Sequence, residues 1–565
     1  MRAANTLVQL LLVTVLLLVV NALADYLPGR IDLTEEKRYT LAASTARIVE
    51  SVDDPVYIEV LLEGQFPAGF QRLRDAVEEL LIDLGDINGE IEYAFSDPAD
   101  GNVDEVNENR ERLRRLGVTP VNFRVQAAEG SSERLLFPYA LINYKNQRTV
   151  VNLLENDVPG QSPEVALNNS VSLLEYKIGN AIQKLLRTRR PVIGYVTGHG
   201  ELSELQTRDL SRTLAPYYDI ARFSLDTMPP FGPEAIGALL VAKPQRTFSE
   251  RELFILDQYI MRGGRVVWML DRLQVNLDSL QGRSNFIPRD YELGVEQLLF
   301  RYGVRVEPNL VLDLQSTPVP IVVGQVGNAP QFERRPWPYH VLATPNPSHP
   351  ITRSLQPVNL FFPSEIDTTV RTKLPLKRTA LLTSSPNALV RFSPVRVDLE
   401  TARYDLDREL FTKSGVPLAV LLEGRFTSPY ENRLGSGFAE ALDQIGQSYR
   451  ATSEPTKMIV IADGDVAKNL ADPANDAFKP LGYNRFADYV FDNKPFLVNA
   501  LEYLFDDGGI IEARNREIKL RLLDTPRAQA EAGYWRLLNV GLPLVLLVVV
   551  GLAYRYLRRR RYARV

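Results

Sequence analysis

The chain has 565 residues with 65 basic and 70 acidic side chains, a formal charge of −5, and 45% hydrophobic residues, enough to bury more than one core. Setting aside Arg2 and the six arginines of the C-terminal tail leaves 58 basic against 70 acidic residues, a balance opposed to a nucleic-acid surface, which must neutralise phosphates. There is no cysteine, which removes disulfides, thiolate metal sites and cysteine nucleophiles together.

An uncharged, Leu/Val-rich run from Ala3 to Ala24 opens the chain, and a second from Leu537 to Tyr554 nearly closes it. A spanning helix needs about 20 apolar residues, so both are long enough. The second is followed by Arg555, by Arg558, Arg559, Arg560 and Arg561, and by Arg564. Basic residues gather on the cytoplasmic side of spanning helices. The expected topology therefore has a cytoplasmic tail touching anionic lipid and a cytoplasmic N-terminus, with the 512 residues from Asp25 to Arg536 on the far side. A cleaved signal peptide competes for the first run, because Ala22-Leu23-Ala24 forms an A-x-A-like site. The apolar core is longer than a usual signal h-region and only one Arg precedes it, which favours a retained anchor. The expected divisions are an anchor over 1–24, a first α/β domain over 25–190, a second over 191–505, a charged membrane-proximal stretch over 506–536, a spanning helix over 537–556 and an Arg-rich tail over 557–565.

In the first domain, Thr40 is placed to cap a helix from Leu41 to Val52. Val56 to Leu62 reads as a strand, and Phe70, Leu73, Val77, Leu80, Leu81 and Leu84 then recur at helical spacing. Ile91 to Phe95 is a strand, and Asn107 to Leu116 a charged surface helix stopped by Gly117. Phe123 begins a further strand. Phe137 to Tyr144 and Thr149 to Leu154 flank a Lys145-Asn146-Gln147 turn, and Val171 to Leu185 mark a closing helix. The order resembles a thioredoxin-like layout without the CxxC that carries its chemistry, so binding or scaffolding is the default role.

The second domain opens with a strand from Val192 to Val196 that runs into Thr197-Gly198-His199-Gly200-Glu201 and a helix from Leu202 to Tyr217. Strands at Ala238 to Val241 and Val266 to Leu270 flank a helix from Phe248 to Arg262, which predicts a mostly parallel sheet covered on both faces. Residues 273–350 are Pro-rich and read as long loops or an insertion. Strands return at Ala380 to Leu382, Pro417 to Leu422 and Met458 to Ile461, and Asn493 to Leu504 is the closing helix.

Two turns carry the candidate chemistry. Thr197 to Glu201 lies where α/β sheets bind ligands. Gly198 and Gly200 would let the backbone approach a ligand, and His199 with Glu201 has the makings of an acid–base pair or a metal site. The simpler reading is a strand-to-helix turn with a packed histidine. His340 and His349 are the only other histidines, so a three-His metal site would need all of them. Asp463-Gly464-Asp465 has the residues to chelate a cation, against the commoner Gly turn with solvated acids. No Gly-Lys dipeptide exists, hence no P-loop. Neither a metal nor a cofactor is expected, and ATP hydrolysis is assigned to a separate chain. In the second span, Gly541 offers close approach to a neighbouring helix and Pro543 is tolerated where neighbours re-satisfy the backbone, a candidate permease contact.

Six stretches, in order, resemble a known family: IDLTEEKRYTLAASTARIVESVDDPVYIEVLLEG (31–64), SVSLLEYKIGNAIQKL (170–185), PVIGYVTGHGE (191–201), PLAVLLEGRFTSPYENR (417–433), KMIVIADGDVAKN (457–469) and FDNKPFLVNALEYLFDDGGIIEARNREIKLRLLD (491–524). The family is the auxiliary, so-called substrate-binding, subunit of the gliding-motility ABC transporter, the GldG type. The resemblance implies an inner-membrane partner of a separate permease and a separate cytoplasmic ATPase in bacteria of the Bacteroidetes type, linked to surface gliding and its associated protein secretion. It carries over no catalytic residue. The competing class is a periplasmic hydrolase of glutamine-amidotransferase-like fold with His199 and Glu201 in its site, although the absent cysteine removes that fold's usual nucleophile. The two classes separate on whether His199 and Glu201 converge with a nucleophile in an enclosed pocket.

Overall fold

The computed structural model describes residues 11–16, 19, 40–64, 66–127, 130–155, 163–227, 234–280, 283, 285–327, 329–404, 406–431, 448–506, 508–515 and 530–562. Residues 11–16 and 19 are helical, and the rest of the expected N-terminal anchor lies outside the described residues.

The first helix, α1 (Ala43–Glu50), does not use Thr40 as its cap. Its N-terminus is closed from far along the chain: the backbone N–H of Ala42 and the hydroxyl of Thr45 both donate to Glu175 Oε1, at 2.6 and 2.7 Å. A carboxylate at the positive end of a helix serves as well as a local cap, but local sequence cannot announce it. The following β1 (Val56–Val60) pairs in parallel with β2 (Ile91–Phe95). Between them runs α2 (Ala68–Ile87). A capping box of Asn102 and Glu105 starts α3 (Val103–Arg115) four residues before the expected position. After the hairpin β3 (Val121–Ala127) and β4 (Gly130–Leu136) come β5 (Tyr139–Tyr144) and β6 (Gln147–Asn152), giving a sheet ordered β2-β1-β5-β6. Val56, Ile58 and Val60 point to one side of β1 and meet Leu73, Val77 and Leu84 of α2 with Leu174, Ile178 and Ile182 of α4 (Pro163–Leu186). A slip of one residue would turn that apolar set outward, so burial fixes the register.

A ten-stranded sheet follows. Its parallel half comprises β7 (Val192–Thr197), β8 (Asp219–Ser224), β9 (Ala238–Ala242) and β10 (Arg265–Met269). The antiparallel half contains β11 (Ser316–Val326), β12 (Ala329–Pro345), β13 (Val358–Phe361), β14 (Leu376–Thr383) and β15 (Pro417–Gly424). The order is β11-β12-β14-β15-β16-β10-β9-β7-β8, with β13 on β12; β16 (Thr456–Ile461) joins the halves, parallel to β10 and antiparallel to β15. Every residue of β9 is buried, as expected of a parallel strand covered on both faces. On one face Leu240, Val267 and Ile459 pack with Phe496, Leu497 and Leu501 of α7 (Asn493–Phe505). On the other, Leu239, Val266, Trp268 and Val460 pack with Leu253, Leu256 and Ile260 of α6 (Glu250–Met261).

Two expectations change here. The helix expected over Leu202 to Tyr217 is only α5 (Arg208–Leu214), preceded by a tight turn at Leu205–Thr207. The Pro-rich stretch is not loop: β11 and β12 form a long antiparallel ribbon, and Trp337 and Tyr339 bury into a core of their own with Leu310 and Phe362. Pro318 and Pro320 sit on the outer strand of the ribbon, where missing N–H donors cost little.

Considered by itself, α8 (Ala532–Tyr562) is the one helix among the described residues long and apolar enough to cross a membrane, with mean hydropathy 2.3 over its most apolar window. It contains Gly541, Pro543 and Arg558 to Arg561 in one continuous helix that overruns the expected 537–556 at both ends. Residues 516–529, part of the charged stretch before it, lie outside the described residues.

The carboxyl ends of the parallel strands

The sheet reverses its direction of growth between β7 and β9, because the chain adds β8 on one side of β7 and then β9 on the other. A crevice at such a reversal is where open α/β sheets take ligands. Here the turns after the two strands are laced together across it. The Leu202 N–H donates to Ala242 O at 3.0 Å, the Gln245 and Arg246 N–H groups both donate to His199 O at 2.7 and 3.0 Å, and Gln245 Nε2 donates to Gly200 O at 2.7 Å. This close approach is possible because Gly198 and Gly200 adopt positive φ, +121° and +81°, which a side chain would oppose.

His199 is 5% exposed, and both ring nitrogens are engaged. Nδ1 lies 3.2 Å from Glu201 Oε1 and Nε2 lies 3.1 Å from Glu252 Oε1, while the ring stacks on Phe248 at 3.8 Å. Glu201 Oε2 also accepts from the His199 backbone N–H at 2.7 Å. Ser249, a hydroxyl in this constellation, donates to Glu252 Oε2 at 2.7 Å as part of the helix cap. A hydroxyl bonded to the acid rather than to the imidazole lacks the nucleophile–base contact that hydrolysis needs. Burial opposes the charge of Glu252, but the Ser249 donors and His199 hold its carboxyl below the usual range.

Three strands further in, the acidic turn is buried, contrary to the solvated turn that its composition suggests. Asp463 and Asp465 follow β16, Asp271 follows β10, and between them lies the ammonium of Lys243, the residue after β9, at φ +56°. Lys243 Nζ pairs with Asp271 Oδ2 at 2.9 Å and with Asp465 Oδ2, and Lys468 approaches Asp465 Oδ1 at 3.2 Å. Backbone groups satisfy the remaining oxygens: Gly464 N donates to Asp271 at 2.6 Å, Asp465 N to Asp463 Oδ1 at 2.7 Å, and Phe361 N to Asp463 Oδ2 at 2.8 Å. A Cβ on Gly464 would stand 2.7 Å from Lys243 Cγ, so glycine is required for this approach.

Burial, reinforced by Asp271 and Asp465, pushes the Asp463 carboxyl well above the usual range. Burial raises Asp271 as well, against the pull of Lys243. Asp465 goes the other way, because Lys243 and Lys468 outweigh the effect of burial. The ionic groups thus compensate one another inside the fold, and among the described residues no group of His, Asp and Glu has the arrangement to hold a metal ion.

Over this cluster lies a polar cavity of about 340 Å³ whose lining includes Glu201, Gln206, Lys243, Gln245, Gln274 and Tyr291. A second cavity of about 260 Å³, lined by Leu277, Phe361, Phe362 and Phe486 among others, abuts it, with Asn276 and Lys468 common to both linings. Of the other histidines, His340 is buried beside the second cavity, its pKa pushed by burial down to about 3, and His349 packs near Tyr503; the three do not converge. The sequence reading missed Lys243, Asp271 and Glu252. The available signal was positional: a lysine and an aspartate each end an otherwise apolar strand.

Comparison with known proteins completes the picture. A family profile described as an ABC-type uncharacterized transport system matches residues 190–500, and one for a domain of unknown function matches residues 35–143. No curated protein matches. Among solved structures, the mmIFT52 N-terminal domain is similar at 12% identity, covering 55% of this chain and 96% of that one with a TM-score of 0.30. The exo-beta-1,4-mannosidase Op5Man5 from Opitutaceae bacterium strain TAV5 is similar at 10% identity over 54% of this chain and 35% of its own, with a TM-score of 0.20. Likenesses that weak bear on neither fold nor function. The profile over 190–500 takes in the whole ten-stranded sheet and its strand-end cluster, and the chain belongs to this auxiliary family of ABC-type transport systems.

Proposed function

We propose that the chain is a non-enzymatic auxiliary subunit of the GldG type. It acts beside a permease and a separate cytoplasmic ATPase in a bacterial inner membrane, in gliding motility and the protein secretion associated with it. Its body faces the periplasm, both termini are cytoplasmic, and the strand-end surface receives a partner or cargo. The observation that carries the non-enzymatic part is the engagement of His199: both ring nitrogens meet carboxylates, and the neighbouring serine is tied to the acid.

The two-anchor reading is supported by a separate apolar cluster of the body. Ile510, Ile511 and Ala513, close to the last described residues before 516–529, pack with Ala42 and Tyr176, so the first and last described segments of the body meet. For residues 43–186 the thioredoxin-like reading is supported by the sheet order β2-β1-β5-β6, with a parallel β1–β2 pair on one side, an antiparallel β5–β6 hairpin on the other and an antiparallel β1–β5 pairing between them. Gly541 and Pro543 are the proposed permease contact within α8, and Arg558 to Arg561 the cytoplasmic anchor.

Affinity capture of the tagged full chain from solubilised membranes tests the assignment. The expected result is recovery of a polytopic permease and a P-loop ATPase in constant ratio. Capture of the chain alone at native abundance would overturn it.

A further inference from the structure

The two abutting cavities differ in chemistry, and the difference specifies an occupant. In the polar one, three glutamines each keep an uncommitted polar atom among the described residues. Gln206 accepts from Ser203 N through Oε1, which leaves Nε2; Gln245 and Gln274 donate through Nε2, to Gly200 O and Asp290 O, which leaves two Oε1 acceptors. The charged groups there are already matched, since Lys243 and Lys468 hold Asp271 and Asp465, and Glu201 holds His199. The neighbouring cavity is floored by Phe361, Phe362, Leu277 and Phe486, and the charges on its lining balance, Asp278 and Asp465 against Lys468 and Arg485. Amides offering both a donor and acceptors suit the N–H and C=O of a peptide group. An aromatic-lined recess next to them suits one large apolar side chain, the buried anchor that dominates peptide recognition.

We propose that the joined cavities bind an uncharged, extended peptide segment, its backbone against Gln206, Gln245 and Gln274 and one aromatic side chain in the recess formed by Phe361, Phe362 and Phe486. This rests on the partner-binding reading above and names the chemistry of the partner. The segment belongs to another chain that the subunit receives.

The test uses the full chain in detergent and a fluorescein-labelled, end-capped peptide Gly-Ser-Gly-Phe-Gly-Ser-Gly, read by fluorescence anisotropy. Saturable binding is expected, weakened at least tenfold when the peptide Phe is replaced by Ala, in keeping with the burial of one aromatic side chain. Phe486→Ala should abolish the preference between the two peptides, and Gln245→Ala should weaken both equally. Leu277→Trp, which fills the recess without emptying the core, should reproduce the loss of preference; a thermal melt of each variant separates unfolding from lost recognition. Absence of saturable binding, equal affinity for the Phe and Ala peptides, or displacement of the peptide by maltose at equal concentration would overturn the proposal. Any of these together with intact capture of permease and ATPase would leave the auxiliary-subunit assignment standing and remove only the peptide site.

Discussion

Lys184, half-buried, and Lys243, buried, are both held by carboxylates, yet their surroundings are built differently. Lys184 of α4 meets one acid, Glu502 of α7, which also accepts from the Tyr176 hydroxyl at 2.5 Å, while the Arg514 guanidinium lies 5.4 Å from the Tyr176 ring centre. Burial opposes the charge of Glu502, but Lys184 outweighs it and holds the carboxyl below its usual range. Lys243 is shared between Asp271 and Asp465, with Asp463, whose carboxyl burial pushes well above its usual range, behind them, and it lines a cavity. The matched pair ties α4, α7 and the segment before residue 516 into one joint. The shared lysine, with Lys468 on Asp465, instead ties the ends of β9, β10 and β16 together at the wall of an open cavity.

The largest expected effect tests that asymmetry. Lys243→Met strips two buried aspartates of their common cation and should cost about 3–5 kcal/mol of stability by urea melting of the full chain in detergent. Adding Asp465→Leu should recover only part, because Asp271 remains buried without its lysine. Lys184→Met should cost about 3 kcal/mol, and here Glu502→Leu in the same chain should return stability to within about 1 kcal/mol of wild type, as replacing a whole buried pair often does. Equal recovery at both sites would erase the distinction.

The contrast was only partly readable beforehand. The charge-free strands ending at Val196, Val241, Leu270 and Ile461 made the parallel half legible, and they placed the His199 and Asp463 turns at strand ends. What those turns do was hidden, because Lys243 and Asp271 meet only through the β9–β10 pairing, and Glu252 reaches His199 from α6, the helix after β9. The cap of α1 comes from Glu175, 133 residues from Ala42, which no local pattern contains. Prolines concealed the ribbon, since the rule that they exclude strands fails on an outer edge.

Two smaller effects sharpen the same comparison. At the joint, Gly179 leaves room for Ile510: a Cβ there would lie 2.9 Å from Ile510 Cδ1. Gly179→Val should cost about 1–3 kcal/mol by overpacking, and limited proteolysis should show faster cleavage at Arg514, with the strand-end cluster undisturbed. At the cluster, Asp463→Asn should change stability by about 1 kcal/mol, with a pH signature. The folded carboxyl titrates above its unfolded value. The stabilisation it contributes is therefore complete below about pH 4 and is lost as pH rises through the folded value. Wild type should lose stability relative to Asp463→Asn as pH rises above about 4; parallel curves would contradict a raised Asp463 carboxyl.

The joint matters most because it holds Ala42 against Ile510, Ile511 and Ala513, and the proposed topology adds an anchor on each side of these residues, both entering the membrane from the same face. Protease added to spheroplasts carrying one epitope before Arg2 and another after Val565 measures this directly. The account predicts digestion of the body with both epitopes protected, each on a short membrane-embedded fragment; cleavage of either epitope from outside, or its release with a processed N-terminus, would contradict it.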